Sequence, residues 1–142
     1  MKFDSVCLSV GEHKCDIAMA GLTVNESRKE VVNFSKSYYN AYQKLIVKAD
    51  DTTFDACTDA ASVDAILNAT EGAATVGFQN GTTAYYYVTG DADWGFDGLN
   101  VKAQGYDNGA LAVQDLINGN IDYVIIDADP ATRIVQNFNA IG

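Results

Sequence analysis

Apolar positions along the chain alternate between two periods. Phe3, Val6, Cys7 and Val10 fall at i, i+3, i+4 and i+7, which is one face of a helix, and Gly11 ends it. Residues 15–20 switch to period two: Cys15, Ile17 and Met19 point one way, Ala18 and Ala20 the other. Both faces are apolar, which predicts a strand covered on both sides, as in a parallel sheet. Gly21 stops it. Thr23, Asn25 and Ser27 then offer capping groups to a short helix running through Val31 and Val32.

The alternation continues. Strands are predicted at Gln43–Lys48, Ala74–Gln79, Leu99–Gln104 and Ile121–Asp127, with helices centred on Ser62–Leu67 and Tyr85–Val88. Asp107 or Asn108 caps a helix that puts Ala110, Val113, Leu116 and Ile117 on one face, closed by Gly119. Asp129–Pro130 starts a last helix through Ile134 and Val135. Strands alternating with helices give an α/β class with mostly parallel pairing. The strand at 15–20 needs a parallel neighbour and nothing earlier supplies one, so a missing N-terminal piece is expected.

Composition narrows the function. The chain has 142 residues, enough for one ordinary domain or two small lobes, and 48% hydrophobic against 20% charged residues marks it as globular. A formal net charge of -10 argues against nucleic acid and against anionic membrane surfaces as partners. No segment approaches the roughly 20 apolar residues of a membrane span. Asp4 and Ser5 interrupt any signal-peptide core in MKFDSVCLSV, so the chain is either cytoplasmic or separated from its targeting segment. Cys7, Cys15 and Cys57 have no CxxC spacing, which argues against a zinc site or a disulfide framework.

Few side chains carry chemistry. Arg28 lies near the start of the short helix, where a cation is disfavoured by roughly 0.3–1 kcal/mol, and a guanidinium placed there implies an anion site. His13 follows a helix-end turn with no nucleophile or oxyanion site in view. Asp91, Asp93 and Asp97 lack the glycine and terminal Glu of a calcium loop and read as a solvated loop. Trp94, Phe96 and Tyr85–Tyr87 read as core or rim.

The stretch DIAMAGLTVNESRKEVVNFSKSYY (residues 16–39) closely resembles the signature of the solute-binding proteins of polar amino-acid ABC importers. LIVK, VGFQNGTTA and GALAVQDLINGNIDYVIID follow in the family's order, so the resemblance covers nearly the whole chain. It implies a periplasmic-binding-protein-like, Venus flytrap bilobal α/β fold, here incomplete. Residues 1–47 would be a partial lobe one with the first hinge strand, residues 48–128 lobe two, and residues 129–142 the terminal helix of lobe two, with the second hinge return missing. The opening strand–helix–strand of lobe one, with its acid and its ligand-gripping aromatic, is absent.

The resemblance also implies a function and a site. The chain would bind a free polar or charged amino acid between two lobes and deliver it to ABC permease subunits, outside the cytoplasm, as a periplasmic or surface-anchored lipoprotein. It implies no catalysis and no cofactor. Arg28 would grip the ligand carboxylate with two parallel hydrogen bonds, and Gly21 and Thr23 would face the ligand. Across the cleft, Gly81, Thr82 and Thr83 would approach the same carboxylate, and Asp127 would hold the ammonium at a strand's carboxyl end. With lobe one incomplete, weak or no binding by the isolated chain is expected, as is pairing with another copy through exposed or swapped elements. The alternatives are a sensor or interaction domain and a dehydratase-like enzyme of the same fold.

Overall fold

The computed structural model describes residues 1–142. Its centre is a four-stranded sheet of β1 (Gln43–Ile46), β2 (Thr75–Gln79), β3 (Lys102–Tyr106) and β4 (Tyr123–Asp127), in the order β1-β4-β2-β3. β2 pairs parallel with β3 and with β4, and β1 runs antiparallel to β4 with Gln43 opposite Asp127. Six helices accompany it: α1 (Val6–Gly11), α2 (Glu26–Lys29), α3 (Ala60–Asn68), α4 (Thr83–Thr89), α5 (Gly109–Asn118) and α6 (Ala128–Ile141).

The sheet is covered on both faces. β4 reads Tyr-Val-Ile-Ile-Asp, and its pleat sends Val124 and Ile126 to one side and Ile125 to the other. Val124 and Ile126 pack with Ala112, Val113 and Leu116 of α5 and Ala131 of α6. Ile125 packs with Leu67 of α3, Val76 and Phe78 of β2, and Ala84 and Val88 of α4. Burying one Leu or Ile contributes roughly 1.5–3 kcal/mol, so these two clusters dominate the stability of the sheet.

Local chemistry sets the helix ends. Asp59 and Ser62 form a reciprocal capping box at the start of α3. Asn108, rather than Asp107, caps α5 by accepting from the Leu111 amide at 3.0 Å; Asp107 instead pairs with Lys2 at 3.1 Å. Gly119 closes α5 in the left-handed region at φ 79°, where a Cβ would be strained.

Three expectations are corrected. Residues 15–20 form no strand: they make no backbone hydrogen bond, and Ile17 and Met19 are 77% and 78% exposed. The sheet has no strand for this segment to pair with. α2 ends at Lys29, and Val31 and Val32 lie beyond it, their amides both donating to the Arg28 carbonyl. β3 begins at Lys102 rather than Leu99, because Leu99 and Val101 pack on the α3–α4 side before the ladder starts.

This topology creates one functional edge. β2, β3 and β4 are parallel, so their carboxyl ends emerge together, where open α/β sheets present ligands. β1 enters the sheet from that same edge, which keeps the preceding residues close to it.

Candidate ligand-binding site

The N-terminal residues dock on the carboxyl edge through the side chains of Thr23, Arg28 and Tyr39 and through the close approach of Asp4 to Gly81. Asn25 caps α2, its Oδ1 accepting from the Arg28 amide at 2.8 Å. Arg28 Nη1 donates to the Thr23 carbonyl at 2.7 Å, and Nη2 donates to the Gly81 carbonyl at 2.9 Å. The Thr23 and Thr83 hydroxyls share a hydrogen bond of 3.3 Å. Tyr39 donates to Asp129 at 2.7 Å. Gly81 sits at φ 73°, and a Cβ there would lie 2.7 Å from the Cβ of Asp4 and 3.0 Å from its Cα. Only glycine lets the turn at Phe3–Ser5 approach the β2–α4 loop this closely.

Arg28 is held differently from the expectation. α2 is a single turn of four residues, so it has no separate N-terminal end, and the helix-dipole argument for an anion site carries no weight. The guanidinium instead lies between two aromatic rings, 5.8 Å from the centre of Phe3 and 5.5 Å from that of Trp94. Such cation–π contacts contribute about 0.5–1 kcal/mol at exposed sites. Trp94 is fixed by stacking on Tyr86, with centroids 4.8 Å apart and planes 15° apart.

The remaining expected residues line a cavity of about 290 Å³ beside this knot. Gly21, Thr82 and Asp127 all face it, together with Phe3, Tyr39, Gln79 and Asp129. Gly21 is at φ 60°, and its amide donates to the Tyr38 hydroxyl at 3.0 Å. The Thr82 side chain is buried, and its hydroxyl donates to the Gln79 carbonyl at 2.8 Å. Asp127, at the end of β4, accepts from Gln43 Nε2 at 2.6 Å. Phe3 lines the cavity and also lies under the Arg28 guanidinium, and Thr82 follows Gly81, so the Arg28 knot adjoins the cavity although Arg28 itself does not line it.

Charge is unevenly satisfied across it. Arg28, Asp127 and Asp129 belong to none of the ion pairs, which are Lys2–Asp107, Lys14–Glu12 and Lys29–Glu26. Their partners are neutral: carbonyls for Arg28, a carboxamide for Asp127 and a phenol for Asp129. The hydrogen bond to Asp129 is also the chief reason that the Tyr39 phenol titrates above its ordinary range.

Sequence reasoning did not place Phe3, Tyr39, Trp94 or Asp129 at this edge. Trp94, the single tryptophan, stands out by type, but its position over Arg28 depends on how the 90–98 loop folds back onto α4. Asp129 resembles an ordinary acid in a helix's first turn, which is also what it is.

Comparison with known proteins identifies the family. The family model for bacterial extracellular solute-binding proteins, family 3, matches residues 1–127. The chain is 33% identical over 140 residues to an arginine-binding periplasmic protein of Mannheimia haemolytica, covering 98% of this chain and 49% of that one. A mutant of ArgBP from T. maritima superposes with a TM-score of 0.76 at 28% identity, over 96% of this chain and 52% of that one. An ancestral amino acid-binding protein, a precursor of cyclohexadienyl dehydratase, superposes with a TM-score of 0.77 at 25% identity, over 96% and 54%. The chain thus spans about half the length of the relatives it matches. With a family model matching residues 1–127 of its 142, the chain belongs to the bacterial extracellular solute-binding proteins, family 3.

Proposed function

We propose that this chain carries the amino-acid-binding site of an ABC importer's extracytoplasmic solute-binding component. One observation carries the reading: the Arg28 guanidinium adjoins the cavity that Asp127 lines, and each lacks a counter-ion. Arg28 is satisfied by neutral carbonyls and Asp127 by a neutral carboxamide. A zwitterion complements both, its carboxylate replacing carbonyls on Arg28 and its ammonium meeting Asp127. Charge-assisted bonds are roughly twice as strong as the neutral ones they would replace. Relatives named for arginine binding support the same ligand class.

In this proposal residues 1–47 supply part of a first lobe and the crossing strand, residues 48–128 the second lobe, and residues 129–142 its terminal helix. Permease subunits receive the ligand. The site binds rather than catalyses in this proposal, a reading supported by relatives named for arginine binding. Gly21, Thr23, Arg28, Gly81, Thr82, Thr83 and Asp127 form the ligand shell. Self-association through the unpaired apolar segment at 15–20 belongs to the same proposal.

The test is a nitrogen-15 NMR titration of the chain with a panel of free amino acids up to tens of millimolar, a range that registers weak binding. Saturable shifts at the Gly21, Gly81, Thr82 and Asp127 amides are expected. Absence of such shifts with every amino acid would overturn the reading.

A further inference from the structure

We propose that Asp129, held by Tyr39, selects amino acids whose side chain is cationic; the proposal rests on the amino-acid reading above and adds a residue and a ligand class to it. A charge count carries the argument. Three charged groups here have no counter-ion: Asp127 and Asp129, which line the cavity, and Arg28, which adjoins it. The carboxylate and ammonium of a zwitterion balance Arg28 and Asp127. One negative charge, on Asp129, is left over.

Asp129 lines the same cavity as Asp127, Gly21 and Thr82, and none of the residues lining that cavity is Lys, Arg or His. The Tyr39 hydroxyl donates to Oδ2 of Asp129 at 2.7 Å, which leaves Oδ1 without a side-chain donor. A neutral or anionic side chain placed there would face an unbalanced carboxylate. A guanidinium or ammonium would neutralise it and take the free oxygen. Phe3 and Tyr39 line the same space and offer aromatic surface to the stem of a long side chain. Tyr39 acts on the ligand through Asp129 and is a positioning residue. Asp129 is the contact.

The experiment compares L-arginine with L-citrulline, which has the same length but a neutral ureido group in place of the guanidinium. Both are titrated into the full chain and followed by NMR. The native chain is expected to prefer arginine by about fivefold, the scale of an ion pair at a solvent-exposed carboxylate. D129N is expected to bring the ratio within about twofold of unity, because a single charge contact has been removed. Y39F keeps the carboxylate and is expected to retain a preference for arginine. D127N is expected to weaken both ligands alike. Spectral dispersion of each variant reports its fold independently. Equal affinities in the native chain, or an undiminished preference in D129N, would overturn the selectivity role and leave amino-acid binding standing. No response to either ligand or to any other amino acid would overturn both.

Discussion

Arg28 and Gly81, 53 residues apart, are joined by a 2.9 Å hydrogen bond from Nη2 to the glycine carbonyl. This bond ties the N-terminal segment to the β2–α4 loop. It also holds the guanidinium beside Phe3, which lines the cavity, through carbonyl partners that a carboxylate can displace. R28K tests both roles. Lysine presents one point charge and cannot span the Thr23 and Gly81 carbonyls. Amino-acid affinity is expected to fall at least about tenfold, and stability by about 1 kcal/mol for the lost bonds. NMR titration and urea denaturation read the two effects. Native affinity in R28K would remove Arg28 from the ligand shell.

Trp94 offers a spectroscopic readout of the same knot. It is the single tryptophan, stacked on Tyr86, with the Arg28 guanidinium 5.5 Å from its ring. A ligand carboxylate that draws Arg28 toward the cavity changes the field over the indole. Titration with a bound amino acid is expected to move or rescale the tryptophan emission, and R28K is expected to abolish that response. A response that survives R28K would mean that the indole senses something other than the guanidinium.

The legibility of this chain in its sequence follows a physical divide. α5 was readable as an element because its signals are local: Asn108 caps it and Gly119 closes it in a left-handed turn. Of its expected apolar face Val113 and Leu116 are buried, whereas Ala110 and Ile117 are exposed and Gly109 and Ala112 are buried instead. β4 was readable because a run of apolar residues fits a strand buried on both faces. Residues 15–20 carry the same strand pattern, but a period-two pattern records what a segment can bury, not whether a neighbour is there to pair with it. β3 was misplaced at its start because Lys102, Ala103 and Gln104 are exposed at the sheet's edge, so the apolar signal fell on the preceding loop. The site divides in the same way. The Gly81-Thr82 turn is visible in sequence. The sandwiching of Arg28 by Phe3 and Trp94 is not, because it exists only once three distant segments dock.

The exposed segment has a consequence in solution. Ile17 and Met19 are more than three-quarters exposed, and with Val10, Leu22, Phe34 and Tyr38 they line an apolar groove of about 440 Å³. Their backbone amides and carbonyls are also unpaired. An exposed apolar segment with unpaired backbone groups can pair with another chain as an open strand edge does. Light scattering is expected to give a mass of at least twice 15.2 kDa. The double substitution I17K with M19K is expected to restore the monomer mass, since charges on an edge oppose pairing. A native mass equal to one chain would defeat the idea.

Tyr106 and Asp115 couple stability to pH at both ends of the scale. The Tyr106 hydroxyl donates to Asp115 Oδ2 at 2.7 Å, and Asn120 donates to the other oxygen at 3.0 Å. Chiefly through the Tyr106 hydrogen bond, Asp115 is held below the ordinary carboxylate range. Burial first, and then Asp115, pushes Tyr106 up to about 12. A depressed carboxylate stabilises the fold above its unfolded pKa, and that contribution is lost as pH falls through the lower folded value. A raised phenol stabilises the fold below its unfolded pKa, and that contribution is lost as pH rises through about 12. Y106F removes the phenol's contribution and the larger part of the Asp115 contribution, leaving the part that Asn120 supplies. The gap in urea midpoint between native and Y106F chains is therefore expected to be flat from about pH 5 to pH 9, and to narrow on both sides. A gap that stays constant into acid would show that the hydrogen bond to Asp115 does not discriminate between its protonation states, whatever else the phenol contributes to packing against α5.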